Sequence, residues 1–167
     1  THGDFWLSPV TDRPNKGWDA ALPRICTWGK FEERASGKIF YMFNVHFDHI
    51  GEVARKESAK LVLEKLKTLA GNTPCILSGD FNFNENHESY TQINTSGIVT
   101  DVYDNARLRF APNGTFNRFD VTGKPVGRID HIFVTPAFQV LRYGILTNTY
   151  NGHFPSDHFP VFAELIY

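Results

Sequence analysis

Cys75-Ile76-Leu77-Ser78-Gly79-Asp80-Phe81-Asn82 is the stretch around which this chain reads as organised. Two apolar residues run into Ser-Gly, and a carboxylate and an amide follow, so a buried strand is expected to emerge at a polar edge. Side chains two apart on a strand point the same way. Asp80 and Asn82 are therefore expected to face one pocket, the first to hold a cation or take a proton from water, the second to donate its amide to an anionic oxygen. Gly-Asp and Asn are also ordinary turn residues, and alone the tetrapeptide Gly79-Asp80-Phe81-Asn82 reads equally as a loop. Its company argues otherwise. Asn44-Val45-His46-Phe47-Asp48, Arg128-Ile129-Asp130-His131 and Ser156-Asp157-His158 also lie at the edges of apolar runs, and the four are expected to converge at one end of a sheet.

Working outward, Lys38 to Phe47 and Ile25 to Phe31 alternate as two strands of an antiparallel hairpin around the turn Arg34-Ala35-Ser36-Gly37. Between Phe47 and the central stretch, Glu52 to Ala70 places Ala59, Val62, Leu66 and Leu69 at helical spacing, and Gly71-Asn72 followed by Pro74 ends the helix. The unit is strand, helix, strand, with polar clusters at both strand ends, where layered α/β folds collect their ligands. Upstream, Phe5-Trp6-Leu7 is a short strand and Ser8 to Arg24 a long, proline-containing loop. Loops beyond about 12 residues in a compact domain are usually functional or disordered. Trp18 and Arg24 either line a substrate edge or serve as a core lid and a surface ion pair.

Downstream, Glu85 to Ile93 reads as a short helix and Asp101-Val102-Tyr103 opens an irregular stretch. Between Asn105 and Lys124 lies a loop-rich insert bracketing Thr115-Phe116-Asn117. Arg128 to Thr135 and Phe138 to Leu146 are expected to form a second antiparallel pair around Pro136, and Pro160 to Tyr167 a closing strand.

The bulk composition fits one domain over residues 1–167. The 41% hydrophobic content is enough for a core, and 15 phenylalanines favour a strand-rich body over a helical bundle. A net charge of −1 supplies no global field for a polyanion and counts against a dedicated DNA-binding protein. Cys26 and Cys75 sit in strand-like apolar contexts where a buried free thiol is the default; a disulfide between them is not deducible. No segment approaches the roughly 18 apolar residues of a membrane span. The opening Thr1-His2-Gly3-Asp4 lacks Met and lies close to an apolar run, so further sequence upstream is expected.

Asp130 stands between Ile129 and Ile132-Phe133-Val134, where an unpaired carboxylate is costly, and His158 is its natural partner. Asp157 is then free to hold a metal ion or its water. His46 and Asp48, with Asn44, share one side of a strand end if the strand persists that far. A site with Asp80, Asp157 and Asn82 suits Mg²⁺ or Mn²⁺, which take oxygen ligands, better than zinc.

In order along the chain, Asn44-x-His46, Gly79-Asp80-Phe81-Asn82, Gly114-Thr115-Phe116-Asn117, Arg128-Ile129-Asp130-His131 and Ser156-Asp157-His158 resemble the motifs of the endonuclease/exonuclease/phosphatase superfamily, the DNase I-like fold. The nearest likeness is to a bacterial group of metal-dependent hydrolases, often secreted, which shares the Trp18 to Arg24 loop. The resemblance implies an α+β sandwich of two mostly antiparallel sheets flanked by helices, of which this chain holds the later two thirds. The family's opening strand with its Asn and the next with its metal-ligating Glu have no counterpart.

The resemblance further implies a Mg²⁺- or Mn²⁺-dependent hydrolysis of a phosphate ester by in-line attack of water. In it Asp80 activates the water, Asn82 and His46 hold phosphoryl oxygens, Asp130 positions His158, and His158 donates to the transition state. Asp80 and Asp157 lie at the metal, and Asn44, Asn117 and Arg24 bind substrate. The partner is a small molecule, a lipid head group or nucleic acid acted on by a monomer, with a secreted or periplasmic location. Two rival expectations stand beside it. One is a binding module that keeps this shape without a working centre. The other is a metallophosphoesterase, suggested by Glu85-Asn86-His87-Glu88 but lacking that class's other motifs.

Overall fold

Alternating side chains along the first strand-forming runs decide the architecture, and the computed structural model describes every residue from Thr1 to Tyr167. Strands β1 (His2–Trp6), β2 (Ile25–Glu32) and β3 (Ile39–His46) form an antiparallel meander. On β3, Phe43 and Val45 turn to one face and are buried, while Met42, Asn44 and His46 turn to the other. The helix α1 (Glu52–Lys65) then crosses over, so β4 (Cys75–Asp80) lies parallel to β3.

Helix α1 buries Ala54, Arg55, Ser58, Ala59 and Val62, and a π turn over Leu66–Ala70 extends the same stripe before Gly71 ends it. Gly51 offers no side chain to cap α1, and the long loop supplies one instead. The Asp19 carboxylate accepts from the N–H groups of Ala54 at 2.6 Å and Val53 at 3.2 Å.

After α2 (Glu88–Asn94), the two-residue strand β5 (Thr100–Asp101) and the single-turn α3 (Val102–Asn105) lead to β6 (Leu108–Phe110). The remaining strands are β7 (Asp130–Val134), β8 (Gln139–Ile145) and β9 (Val161–Ile166). One sheet runs β1-β2-β3-β4-β7-β5 and a smaller one β6-β8-β9, with only the β3–β4 and β6–β8 pairs parallel. Two cores result. Phe43, Leu77 and Phe133 pack beneath α1, whereas Val134, Val140, Tyr143 and Ile145, with Ile76 and Ile132, fill the space between the sheets. Burial of each large apolar side chain stabilises by ~1.5–3 kcal/mol. The layers are therefore helix, six-stranded sheet and three-stranded sheet, an α+β sandwich.

Three local expectations need correction. The runs on either side of Pro136 do not pair with each other: β7 lies between β4 and β5 in the large sheet, and β8 pairs with β6 and β9 in the small one. Both edges of β7 are occupied, so no ladder edge is left for β8. Asp101 does not open an irregular stretch; it closes β5 and caps α3 through the Tyr103 N–H. The loop-rich insert contains one strand, β6. Cys26 and Cys75 are free and buried, with burial pushing the Cys75 thiol up to about 11.

Candidate functional site

The strand register builds the centre of the site. His46, Asp80 and Asp130 are direct partners across β3, β4 and β7, so an imidazole and two carboxylates stand on one rung where three strands end. Two residues back, Asn44, Ser78 and Ile132 form the next rung on the same face. Gly79 lies between these rungs with φ +145, and a Cβ there would sit 1.9 Å from the Val45 carbonyl oxygen. Only glycine lets β3 and β4 approach closely enough to align the rung.

His158 arrives from the segment before β9. Its Nδ1 lies 2.8 Å from Asp130 Oδ2, which accepts only, so Nδ1 carries the proton and Nε2 faces Asp80. Nε2 stands 3.9 Å from Asp80 Oδ2, too long for a hydrogen bond but spanned by one bridging oxygen of water or phosphate. His46 Nε2 approaches the same oxygen at 3.4 Å. The Thr115 hydroxyl accepts from the N–H groups of Ile129 and Asp130 at 3.0 and 3.2 Å, and the Thr115 carbonyl accepts from Phe159 N–H. One buried threonine thus ties the Asp130 strand to the His158 segment.

Burial raises the Asp80 carboxyl above the ordinary carboxylate value, with the neighbouring Asp130 charge adding to it against the Asn82 N–H and two imidazoles. Burial by itself would lower the His158 imidazole, but its hydrogen bond to Asp130 and the Asp130, Asp80 and Asp157 charges hold it higher than usual. His46 moves the other way, lowered by burial and then by the Arg24 charge. At neutral pH the rung thus has a strengthened base beside an imidazole that keeps its proton longer and another that loses it sooner.

The other expected site residues fall into distinct places. Asn44 lines a cavity of about 460 Å³ with Ser78, Asp80, Asp130, Ser156 and His158. Asn82 does not continue the strand: at φ +52 it folds back, its N–H bonding Asp80 Oδ1 at 2.8 Å and its amide donating to the Phe47 carbonyl at 2.9 Å. It stays beside Asp80 and orients it. Asn117 is buried, its amide donating to the Ser156 carbonyl and its oxygen accepting from Phe119 N–H. It holds two loops together.

Asp157 offers its carbonyl to the Asn117 and Arg118 N–H groups. The cluster whose ligand atoms lie within 4.8 Å of one another is Asp80, Asp130 and His158, without Asp157. Asp48 and His46 part company because β3 ends at His46. Asp48 turns inward and accepts from the N–H groups of Ala21, Leu22, Ile50 and Gly51 and from Arg24 Nε. Arg24 is thereby committed to Asp48 and His49, as an inward ion pair rather than a surface one.

One polar cluster was not anticipated from sequence. Asp101, Arg128 and His131 meet beneath β7, with Arg128 Nη1 2.7 Å from His131 Nδ1 and the guanidinium 4.3 Å over the Tyr103 ring. His131 Nε2 faces the Phe83 carbonyl at 2.9 Å, so Nε2 bears the proton and Nδ1 accepts from Arg128. Strand alternation places His131 opposite Asp130. The signal for this cluster was available: Asp101 is a charge set between Val99 and Val102 and needs a buried partner.

The donor set suits a hard divalent cation: two carboxylates share a partly buried rung, one with a raised pKa, and one imidazole nitrogen of His158 lies beside them. The rung thus lies at the strand ends of a helix-backed two-sheet α+β sandwich. The chain belongs to the Endonuclease/Exonuclease/phosphatase family, whose model matches residues 7–158. It is similar to the mannosyl-6-phosphatase of Bacteroides thetaiotaomicron, at 51% identity and TM-score 0.96, covering all of this chain and 66% of that one. A second family protein from the same organism is 52% identical with TM-score 0.95, over 99% of this chain and 64% of that structure. A protein of Acanthamoeba polyphaga mimivirus is 29% identical over 93% of this chain and 61% of its own length. The chain thus spans somewhat under two thirds of these relatives.

Proposed function

We propose that the chain carries the acid–base half of a divalent-metal-dependent phosphoesterase acting on a small phosphomonoester, with a phosphorylated sugar as the substrate class. The observation that carries this reading is the rung His46–Asp80–Asp130 with His158 hydrogen-bonded to Asp130 and 3.9 Å from Asp80. The sugar phosphate is favoured by the 51% identity to a mannosyl-6-phosphatase and by a net charge of −1, which supplies no global field for a nucleic acid.

Asp80, with its raised pKa, takes a proton from the attacking water. Asn82 and the Asn82 N–H fix the Asp80 carboxylate, and neutral His46 donates to a phosphoryl oxygen. Asp130 holds His158 in the Nδ1–H tautomer and supports its cation, so Nε2–H points at the charge that develops in the transition state. Asp80 and Asp130, with Asp157 nearby, would hold Mg²⁺ or Mn²⁺. A bound divalent cation supplies neutralisation of phosphoryl charge.

The test is hydrolysis of mannose 6-phosphate, glucose 6-phosphate, an aryl phosphodiester and single-stranded DNA, each with Mg²⁺, Mn²⁺ or chelator, read as inorganic phosphate from the monoesters, free phenol from the diester and shortened strands from the DNA. Release from the sugar monoesters with metal, reduced by about 10²–10⁴ in Asp80→Asn, is the expected result for loss of a general base. Preference for DNA, or an Asp80→Asn rate equal to wild type, refutes the assignment. Metal stabilisation with no turnover of any ester leaves a binding module instead.

A further inference from the structure

Arg118 is the exposed cation beside the proposed centre that has no carboxylate to answer it. Arg24, whose charge also reaches His46, is already held by Asp48 and His49. Arg118 makes no ion pair, and its guanidinium lies 5.3 Å over one ring, Phe116. That ring lies 4.9 Å from the His158 imidazole. One aromatic ring therefore contacts both an unpaired guanidinium and the His158 imidazole.

The backbone holds Arg118 there at a conformational cost. Arg118 and Phe119 have φ values of +59 and +60, a region that bulky L residues adopt uncommonly even singly. The pair is held by its neighbours: Asn117 N–H and Arg118 N–H both donate to the Asp157 carbonyl, at 2.8 and 3.1 Å. The Asn117 oxygen accepts from Phe119 N–H at 2.7 Å, and its amide donates to Ser156. This strained turn is thus fastened to the Ser156-Asp157-His158 segment, and Arg118 is carried with the imidazole rather than with a mobile loop tip.

The electrostatics give this placement a purpose. Asp80, Asp130 and Asp157 crowd the centre with carboxylates, which repel a phosphate dianion. A guanidinium offers two parallel N–H donors matched to phosphate oxygens, and a cation resting on an aromatic face is partly pre-oriented. We propose that Arg118 is the anion-recognition residue of this site, contacting the phosphoryl group of a monoester dianion as it approaches His158. This rests on the phosphoesterase reading above and adds the residue that selects for the doubly charged ester.

Binding of inorganic phosphate to the intact chain by isothermal titration calorimetry, with and without Mg²⁺, tests it independently of turnover. Arg118→Ala is expected to weaken phosphate binding about 10-fold, and Arg118→Lys, which loses the planar fork, about 3-fold. Arg118→Gly separates recognition from structure. Glycine relieves the positive φ, so the melting temperature should hold or rise while phosphate affinity falls as in the alanine variant. Arg34→Ala, in the turn at the far end of the β2–β3 hairpin, controls for net charge and should bind as wild type. Phosphate affinity within twofold of wild type in Arg118→Ala, equal weakening by Arg34→Ala, or no phosphate binding by the wild type overturns the proposal. Arg118-dependent phosphate binding without hydrolysis of any ester keeps it and removes the phosphoesterase reading. Hydrolysis with Arg118-independent phosphate binding does the reverse.

Discussion

Replacing Asp48 by alanine should detach the long proline-containing loop from the sheet. The Asp48 carboxylate is almost wholly buried and accepts from Gly51 N–H at 2.8 Å, Ile50 at 3.0 Å, Ala21 and Leu22 at 3.1 Å, and Arg24 Nε at 3.3 Å. Hydrogen bonds to a charged acceptor contribute ~1.5–3 kcal/mol each. Five donors sharing two oxygens are not additive, and truncation leaves Arg24 without its partner, so the expected loss is ~3–5 kcal/mol, the range for a broken buried pair. For a chain of this size that lowers the melting temperature by about 10 °C. Asp48→Asn should recover less than half, because its amide turns donors toward N–H groups.

The sign of the acid dependence follows. Burial would raise the Asp48 carboxyl, but the N–H groups of Gly51, Ala21, Ile50 and Leu22 outweigh it and hold the pKa well below the carboxylate range. Its stabilisation is therefore present above the unfolded value of about 4 and is lost as pH falls from there toward the folded value. Urea unfolding across that window, on wild type and both variants, measures the loss and the acid slope. A loss below about 1 kcal/mol in Asp48→Ala, or an unchanged acid slope, refutes the anchoring role.

Gly79→Ala should cost ~3 kcal/mol or more, since its Cβ meets the Val45 backbone at a φ that favours glycine; a wild-type denaturation midpoint would contradict the close β3–β4 approach. Asp101→Asn leaves the Arg128 cation buried without its carboxylate and should destabilise by ~3–5 kcal/mol. Adding Arg128→Met should return part of that loss, and urea curves that show none would dismiss the pair. Asp130→Asn should lower the His158 pKa, followed by NMR titration of the imidazole ring. In wild type the raised pKa stabilises the fold below the unfolded imidazole value of about 6.5, and this is lost as pH rises through the folded value. An unmoved His158 titration would remove Asp130 as its partner.

The four polar clusters at strand ends, the Asp130–His158 pair and the strand–helix–strand unit were all present in the sequence, because each depends on alternation and charge within short segments. A charge such as Asp130, set in an apolar run, announces that it has a partner before any coordinates are known. What the sequence could not set is which strand ends share a rung. Asp80 faces His46 and Asp130 only because Gly79 admits β3 closely and β7 is inserted beside β4, and that choice is made by long-range pairing.

Local reading also failed wherever a strand ended. Asn82 turned back at a positive φ, Asp48 turned inward to hold a loop from far upstream, and the runs flanking Pro136 went to separate sheets. The period of a strand fixes which side chains agree in direction. Where that period stops, and which distant donor or edge then takes over, follows from unmet hydrogen bonds and buried charge, and those are satisfied only by the tertiary fold.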